Sequence, residues 1–518
     1  MDARSAVATV SSLGLVRQAS EELETQKSDA LIQGAIYSRS LFRRGPELYL
    51  LARLDEGKRL LIVSPGGREP GAGFEGAAGR SDDLAFKACP LSAANARSLR
   101  AAFPWAAPIS LADRKTTFGC GDRLGRATPG HLRAVRKHRV SPVLAQQSIR
   151  ELTLTGRTFQ GVVDDATFLV FQSGYTGGYG ADADHLKTLE HIAMALDCGM
   201  TMITLDLSEV MRPRMAALPD PELDVEFARL PAPVQARTLR AYAGRQFDVE
   251  GPAGRATVQV DGRTARLCAA MYTPALDFAA QVHQLLVARR GADGFDLEMS
   301  IDETTTPTLP SHHLYIIREL QQRGVRIVSL APRFVGEFQK GIDYVGDLQE
   351  FRRQFRVHAL IAQAHGDYKI SIHSGSDKFA IFPIIGEITG GRFHEKTAGT
   401  SWLEAVRMVA TRSPALYRRF HETALRRLPD GLKLYHITPD LAEIPALDGL
   451  KDADLPGLLN QDATRQVLHI AYGFILEDPA LKTEFFALLD RREEDHYQLL
   501  DRHFSRHMEA LGIPARVE

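Results

Sequence analysis

The feature that most constrains the fold is an alternation of strands and helices through the middle of the chain. Eight short segments have the apolar character of strands, and most are separated by stretches with helical periodicity. They lie at 115–119, 142–147, 167–171, 200–207, 295–301, 325–330, 368–373 and 393–397. Eight parallel strands in right-handed βα units predict an α/β fold of the TIM-type (β/α)8 barrel class. A doubly wound open sheet is the main alternative.

The alternation divides the chain into three regions. They are an N-terminal extension over 1–110, a catalytic barrel over 111–405 and a helical C-terminal region over 406–518. In the extension, 47–54 and 59–64 predict a β-hairpin. Residues 209–270 interrupt the barrel after its fourth strand, and we interpret this insertion as a lid. The Asp261-Gly262 pair within it predicts a hairpin turn.

Composition argues against several classes of protein. Lys and Arg number 63 against 64 Asp and Glu, so no basic surface for nucleic acid is predicted. No segment reaches the length of a membrane span, and the first thirty residues lack the apolar stretch of a secretory signal. The 4 cysteines form no CxxC pair, which favours reduced thiols. We expect a cytoplasmic enzyme without nucleic-acid or membrane partners, and an oligomer is compatible with the sequence.

Polar side chains stand at the ends of three predicted strands. The segments are FDLEMSIDE (295–303), YKISIHSGSDK (368–378) and FHEKTAGT (393–400). Because the strands of a β/α barrel present their carboxyl ends on one active-site face, we expect these side chains to meet in one pocket. Imidazole and carboxylate groups are common ligands of divalent metals, so Glu298, His373 and His394 are the candidate ligands. The alternative for each histidine is a hydrogen-bonded core residue.

Two further loops follow predicted strands. The loop 119–125 reads GCGDRLG, one residue longer than a dinucleotide fingerprint. We interpret it as a strand-end loop that presents Asp122 and Arg123, and an Asp–Arg surface pair is the alternative. The loop 374–378 (SGSDK) follows His373 directly and offers hydroxyl, carboxylate and ammonium groups to a sugar or an anion. A hydrophilic loop without a ligand is its alternative.

The segment 174–188 (GYTGGYGADADHLKT) combines glycines with several ionisable groups. We interpret it as a loop that closes on a polyol at the start of a helix over 185–197. One of its aspartates, Asp182 or Asp184, is expected to cap that helix, which leaves the other free for chemistry. Asp302, after the fifth strand, is likewise either an acid/base group or a helix cap.

Seven stretches, in the same order along the chain, resemble the bacterial tagaturonate epimerase family. They are FGCGDRLGRATPGHLRAV (118–135), PVLAQQSIREL (142–152), GYGADADHLKT (178–188), SIDETTTPTLPSHH (300–313), LAPRFVGEFQKGIDYVGD (330–347), YKISIHSGSDKF (368–379) and FHEKTAGTSWLEA (393–405). The resemblance implies interconversion of D-tagaturonate and D-fructuronate with a divalent metal ion. It also implies C4 epimerisation of D-fructose and D-tagatose in some members or variants. The metal, Zn²⁺, Mn²⁺, Ni²⁺ or Co²⁺, stays open.

The implied reaction constrains the site. The inverted carbon is β to the ketone, so simple enolisation would act at the wrong centre. Retro-aldol cleavage, rotation of the aldehyde fragment and re-addition is favoured over transient oxidation, since no regular dinucleotide motif is present. That route needs a Lewis acid, a base that serves both faces, and cations for the carboxylate and the developing oxyanion. A metal-dependent aldolase, a nicotinamide-dependent oxidoreductase and a sugar-binding protein without turnover remain alternatives.

This scheme assigns a hypothetical role to each candidate residue. Glu298, His373 and His394 hold the metal. The acid/base candidates are Asp122, Asp182 and Asp302. The candidate substrate-binding residues are Arg123, Gln147, His185, Lys187, Lys369, Ser374, Asp377, Lys378 and Lys396.

Overall fold

A computed structural model describes residues 1–15, 31–66, 68–302 and 306–516 of the chain. The N-terminal region is an antiparallel sheet in the order β1-β2-β4-β5-β7-β6, with β3 paired to β4. Its strands are β1 (Leu31–Ile32), β2 (Ile36–Tyr37), β3 (Phe42–Arg44), β4 (Glu47–Leu54), β5 (Gly57–Pro65), β6 (Ala77–Ser81) and β7 (Leu84–Cys89). Helices α1 (Ala3–Ser12) and α2 (Ala93–Ala102) accompany them. The predicted hairpin is confirmed, since β4 pairs with β5 from Leu48 opposite Val63 to Leu54 opposite Gly57.

The middle of the chain is a closed barrel of eight parallel strands. The first four are β8 (Thr117–Cys120), β9 (Ser141–Ser148), β10 (Gly180–Leu186) and β11 (Met202–Asp206). The hairpin β12 (Arg245–Gly251) and β13 (Gly254–Val260) interrupts them, and β14 (Asp296–Ile301), β15 (Ser329–Pro332), β16 (Lys369–Ile372) and β17 (Phe393–Thr397) follow. Each barrel strand pairs with the next in sequence, and β17 pairs with β8. The predicted TIM-type barrel is confirmed, and a closed sheet excludes the doubly wound alternative.

The helices of the barrel region cover the sheet in βα order. They are α3 (Thr128–Lys137), α4 (Ile149–Thr155), α5 (Phe159–Ser173), α6 (Leu189–Asp197), α7 (Asp220–Ala228), α8 (Ala232–Ala241), α9 (Gly262–Arg290), α10 (Pro310–Gln322), α11 (Leu348–Ala364), α12 (Phe382–Thr389) and α13 (Thr400–Arg412). The N-cap position of helix α3 is Ala127, which makes no side-chain capping hydrogen bond. The backbone N–H of Ala127 donates to Asp122 Oδ2 at 2.7 Å, so a carboxylate from the preceding loop takes the place of a capping side chain.

The third strand was predicted wrongly. The segment 167–171 (TFLVF) lies in α5, and the strand is β10, thirteen residues further along. A short apolar run does not distinguish a buried strand from a buried helix. Helix α5 is apolar on several sides because it packs between the barrel and the N-terminal sheet, where Phe171 stacks on Trp105 with ring centroids 5.6 Å apart. Asp182 and Asp184 therefore lie on a strand, and the N-cap of α6 is Thr188.

The insertion after β11 packs on the side of the barrel. Asp261 is the N-cap of α9 and accepts the Thr264 N–H at 2.6 Å, so the predicted Asp261-Gly262 hairpin turn is wrong. The turn of the hairpin lies between Gly251 and Gly254. Arg356 on α11 donates to the carbonyl of Ala253 at 2.8 Å, and α7 and α8 pack against α9. The lid interpretation is therefore not supported for the body of the insertion.

The C-terminal region is helical, as predicted. Its helices are α14 (Pro414–Arg426), α15 (Leu428–Gly431), α16 (Asp462–Ile470), α17 (Tyr472–Glu477), α18 (Pro479–Arg491) and α19 (Glu493–Ala510). They share an apolar core with α13, in which Trp402 is buried against Phe420 and Phe485. Helix α19 also packs along α3 of the barrel. Within the described ranges, no helix combines the length and apolar character that a membrane crossing requires.

Candidate active site

A cavity of about 390 Å³ opens at the carboxyl ends of the barrel strands. Its polar and charged wall includes Arg123, Gln146, Arg150, Glu151, Asp184, His185, Lys187, His191, Asp206, Glu209, Asp302, Lys340, His373, Ser374, Ser376, Lys396, Tyr435 and His469. Most of these residues lie on the last positions of the strands or on the loops that follow, which is where a β/α barrel carries its active site. Tyr435 and His469 come from the C-terminal region, which therefore completes the cavity.

Lys396 is the centre of a buried charge network in the upper barrel. Its Nζ lies 2.7 Å from Asp184, 2.8 Å from Asp182 and 2.9 Å from Glu298. Burial by itself would lower the pKa of Lys396, but the three carboxylates raise it well above its usual value, so the ammonium stays charged. Burial also raises the pKa of Asp182 to about 6, although Lys396 acts in the opposite direction. A fixed cation thus stands at the floor of the cavity.

Above this network, His185, Asp302 and His373 offer ligand atoms that all lie within 4.8 Å of one another. His373 Nδ1 is 3.2 Å from Asp302 Oδ2, and His185 Nε2 is 3.8 Å from Asp302 Oδ1. Two imidazoles and a carboxylate on one side of a cavity are a typical donor set for a divalent metal with open positions for substrate oxygens.

Local backbone geometry turns His185 towards this cluster. The register of β10 against β11 shifts between Ala183 and Leu186, and His185 has a φ of +56°. A β-bulge re-aims a side chain in this way, and non-glycine residues with positive φ are concentrated at functional sites. His185 Nδ1 lies 2.8 Å from Asp184 Oδ1, which orients the ring. The sequence places His185 near the site, but the bulge decides which face of the strand it occupies.

Electrostatics in the cluster favour a cation. Burial alone would lower the pKa of His373, yet Asp302 and Glu298 raise it to about 9. Burial would raise the pKa of Asp302, but His373 and His185 hold it well below its usual value. The carboxylates thus stabilise positive charge on the imidazoles, and a divalent cation would take over that role.

The other two predicted metal ligands lie elsewhere. Glu298 is fully buried beneath the cluster, and its Oε1 contacts His373 Nε2 at 2.7 Å. It thereby supports a candidate ligand from behind. His394 lies deeper, with Nδ1 2.9 Å from the hydroxyl of Thr117, and burial lowers its pKa to about 3. The structure brings His373 together with His185 and Asp302 rather than with His394.

Part of the cavity wall is cationic. Arg123 is 3% exposed, its Nε donates to Glu151 at 2.8 Å, and its guanidinium lies 3.8 Å from the centre of the Tyr472 ring. Lys340 stands nearby, and its Nζ donates to the hydroxyl of Ser374 at 2.6 Å. Arg150 also faces this side of the cavity. The cavity wall therefore combines a carboxylate–imidazole cluster with additional positive charge.

Several predicted residues lie outside the cavity wall. Asp122 accepts the backbone N–H groups of Leu124, Gly125 and Ala127 at 2.7–3.0 Å. In a dinucleotide-binding loop such N–H groups would donate to a phosphate, but here they already donate to the Asp122 carboxylate. Gln147 is fully buried outside the cavity, and its neighbour Gln146 lines the wall instead.

Three more predicted substrate-binding residues have structural contacts. Lys369 lies at the opposite end of the barrel, where its Nζ donates to the Leu111 carbonyl at 3.3 Å. Asp377 pairs with Arg465 at 2.7 Å, and Lys378 donates to backbone carbonyls of the loop after β15. Of the predicted set, the residues that line the cavity are Arg123, His185, Lys187, Asp302, His373, Ser374 and Lys396.

Cavity residues that were not predicted from the sequence include one in a loop, one at a strand end and two in the C-terminal region. Lys340 lies in the long loop after β15, and its stretch belongs to the family-like motifs, so resemblance was the available signal. Asp206 ends β11 and lines the cavity. Tyr435 and His469 lie some forty to seventy residues beyond the last barrel strand, and no local pattern marks them.

Comparisons with known proteins agree over most of the chain. A family model described as tagaturonate epimerase matches residues 37–511. The tagaturonate/fructuronate epimerase of Thermotoga maritima is 39% identical over 476 residues, which cover 92% of this chain and 96% of that protein.

Solved structures give the same result. A glycerol complex of fructuronate-tagaturonate epimerase UxaE from Cohnella laeviribosi has a TM-score of 0.87 and 40% identity, covering 93% of this chain and 97% of that one. The native structure of that enzyme has a TM-score of 0.87 and 41% identity, covering 92% of this chain and 96% of the other. Similarity at this level extends through the barrel, the insertion and the C-terminal helices. The chain belongs to the tagaturonate epimerase family, whose members are enzymes of the isomerase class.

Proposed function

We propose that the protein interconverts D-tagaturonate and D-fructuronate with the help of a divalent metal ion. The observation that carries this proposal is the composition of the cavity wall, which combines a cluster of metal-ligand groups with the cations Arg123 and Lys340. A keto-uronate offers groups for both, since its ketone and hydroxyl oxygens can chelate a metal and its carboxylate can pair with a cation. The names of the relatives support the same substrate pair.

His185, Asp302 and His373 fit a divalent cation. Their donor set and the mutual approach of their ligand atoms support this assignment, which revises the predicted set of Glu298, His373 and His394. When bound, the cation would act as a Lewis acid towards the ketone oxygen and the enediolate charge of a retro-aldol step. Glu298 and Asp184 hold the two imidazoles from behind through 2.7 Å and 2.8 Å contacts.

Proton transfer at the inverted carbon requires a group on the cavity wall. Asp122 and Asp182 do not line the cavity, and Asp302 belongs to the metal cluster. Asp206 lines it, and its Oδ2 accepts no hydrogen bond among the described residues. Lys187 Nζ lies 3.5 Å from that oxygen. We assign to Asp206, with Lys187 beside it, the removal and return of the hydroxyl proton, while Lys396 stabilises developing negative charge from the cavity floor.

The test is incubation of the purified protein with D-fructuronate, with and without EDTA, followed by chromatography. We expect D-tagaturonate to form, to disappear with EDTA and to return on addition of one of Zn²⁺, Mn²⁺, Ni²⁺ or Co²⁺. Release of a free aldehyde without epimer would favour a metal-dependent aldolase. No conversion with any of these ions would contradict the proposal.

Paired variants test the revised ligand set. His185→Ala and His373→Ala should lose bound metal and activity while the fold is retained, since both rings contribute to the cluster. His394→Ala is the matched control, and it should keep its metal because that ring faces Thr117 deeper in the barrel. Metal content is measured by mass spectrometry after gel filtration. Loss of metal in His394→Ala with retention in His185→Ala would restore the predicted set.

The neutral ketohexoses D-fructose and D-tagatose are the second candidate substrate pair. The observation in their favour is that the candidate metal cluster and Lys396 offer groups that would bind ketone and hydroxyl oxygens, which these sugars share with the keto-uronates. C4 epimerisation would then follow the same route. Parallel incubation with D-fructose separates the two candidate substrate pairs. We expect slower conversion of D-fructose because a neutral sugar has no carboxylate to pair with the cations of the cavity wall.

A further inference from the structure

We propose that Lys340, with Arg123 behind it, forms a carboxylate subsite that makes the enzyme prefer an acidic sugar over a neutral one. The inference rests on the proposed function and adds the residue that determines specificity. Lys340 lies in the loop between β15 and α11, on the cationic wall of the cavity. Nothing in the strand-end pattern singles it out.

The backbone on both sides of Lys340 is held firmly. Lys378 Nζ donates to the carbonyls of Gln339 at 2.9 Å and Ile342 at 2.5 Å. Arg465, on α16, donates through Nε to the carbonyl of Gly341 at 2.7 Å. These buried cations fix the loop from the barrel side and from the C-terminal side. A side chain presented from such a loop has a defined position, which is what a specificity contact requires.

The head of Lys340, in contrast, is incompletely paired. Its Nζ donates to the Ser374 hydroxyl, and among the described residues no carboxylate lies within ion-pair distance of it. Arg123, by comparison, is neutralised by Glu151. Burial lowers the pKa of Lys340, and the neighbouring Arg123 guanidinium lowers it further. An anion bound at Nζ would relieve both effects, because it supplies the missing counter-charge.

The position suits the far end of a keto-uronate. Ser374, the hydroxyl partner of Lys340, follows His373 directly in the chain. A substrate whose ketone and hydroxyl oxygens face His185, Asp302 and His373 therefore extends along one wall towards Lys340. In a keto-uronate the carboxylate is at the opposite end of the carbon chain from the ketone, so it would reach this ammonium. A neutral ketohexose would place a hydroxymethyl group there and leave the charge uncompensated.

A matched pair of ligands tests the subsite without depending on turnover. D-mannonate and D-mannitol share their hydroxyl configuration and differ in one terminal carboxylate. Calorimetric titration of each into the metal-loaded protein compares wild type, Lys340→Met, Lys340→Arg and Lys187→Met. Lys187 is the control because it lines the same cavity but lies beside the carboxylates Asp206 and Glu209. Circular dichroism and the melting temperature verify that each variant is folded.

Wild type should bind mannonate more tightly than mannitol. We expect Lys340→Met to weaken the binding of mannonate about tenfold to a hundredfold, which is the range of one charge-assisted hydrogen bond. The affinity for mannitol should change less than about twofold. The KM for D-fructuronate should rise by the same factor, and Lys340→Arg should restore part of the preference. Lys187→Met should change the affinities for mannonate and mannitol by similar factors.

Three results would contradict the proposed subsite. They are equal affinity of wild type for the two ligands, an equal loss of affinity for both in Lys340→Met, and a selective loss of affinity for mannonate in Lys187→Met. A different result, the absence of fructuronate turnover by metal-loaded wild type, would contradict the proposed function. A selective calorimetric loss in Lys340→Met would support the subsite even in that case.

Discussion

Two buried lysines of the barrel show how neighbours decide the behaviour of a residue. Lys396 is surrounded by three carboxylates, which raise its pKa. Lys369 has two uncharged acceptors, the carbonyl of Leu111 and the hydroxyl of Thr117, each at 3.3 Å. Burial therefore lowers the pKa of Lys369 from 10.5 to about 8. Both were predicted to bind substrate, but only Lys396 faces the cavity.

Replacement of Lys369 should change stability in a pH-dependent way. Between pH 8 and 10.5 the unfolded chain binds more protons at this residue than the folded chain, so wild-type stability at this site rises with pH through that window. Below pH 8 the folded protein carries the full cost of a buried charge. Lys369→Met should therefore be more stable than wild type at pH 7, by at most about 3 kcal/mol less its lost hydrogen bonds, and the advantage should vanish towards pH 10.5.

Urea unfolding of both proteins at pH 7 and pH 10 measures this difference. Lys451→Met is the control, since Lys451 is exposed and should affect stability little at either pH. An advantage of Lys369→Met that is the same at both pH values would show that burial of the charge is not its cause.

At the scale of elements, the connection from β8 to α3 depends on one carboxylate. Asp122 accepts three backbone N–H groups, and through Ala127 it holds the start of α3. Arg157 donates to the carbonyl of Asp122 at 2.6 Å from the other side. The loop thus has a structural explanation that requires neither a dinucleotide nor an acid/base role for Asp122.

Asp122→Ala should lower the free energy of unfolding by about 2–4 kcal/mol, because three buried donors lose their acceptor. Asp122→Asn should cost less, since its amide oxygen can replace Oδ1 for Leu124 and Gly125. Thermal and denaturant unfolding measure both. The pH profile of kcat should keep its shape in Asp122→Asn, and loss of a limb of that profile would return Asp122 to the acid/base candidates.

At the scale of the whole molecule, Glu493 joins the N-terminal sheet to the C-terminal helix α19. Its carboxylate lies 2.7 Å from the Tyr37 hydroxyl, 2.8 Å from Lys58 Nζ and 3.4 Å from Arg53. The carboxylate is largely buried, with 9% of the side chain exposed. The N-terminal and C-terminal regions are therefore joined directly by a largely buried polar contact.

Glu493→Ala should be strongly destabilising, by about 3–5 kcal/mol, because it leaves Lys58 buried without its partner. Glu494→Ala is the matched control, since the adjacent glutamate pairs with Arg133 but is 57% exposed. Its effect should be small, as for other surface ion pairs. Chemical unfolding measures the free energy of unfolding of both variants. A loss in Glu493→Ala as small as the loss in the control would indicate that the contact between the sheet and α19 contributes little to stability.

The local pattern of apolar residues was sufficient to predict most strands of the barrel. Seven of the eight predicted strands overlap strands of the structure, because each is a short apolar segment between helical segments. The exception, 167–171, is apolar because two packed layers bury α5, and that environment is a tertiary property. The hairpin predicted at Asp261-Gly262 fails for a similar reason, since the same pair caps a helix when a helix follows.

By itself, the sequence determined the barrel class, seven of the eight barrel strands and the clustering of polar groups at strand ends. This is possible because hydrophobic period and strand-end position are local properties. Only the tertiary structure decided the depth of each group, for example His394 beneath the site and His185 within it, since a β-bulge and barrel closure set depth and direction. It also decided that Lys340, Tyr435 and His469 complete the cavity, because packing of the loop after β15 and of the C-terminal helices brings distant segments together.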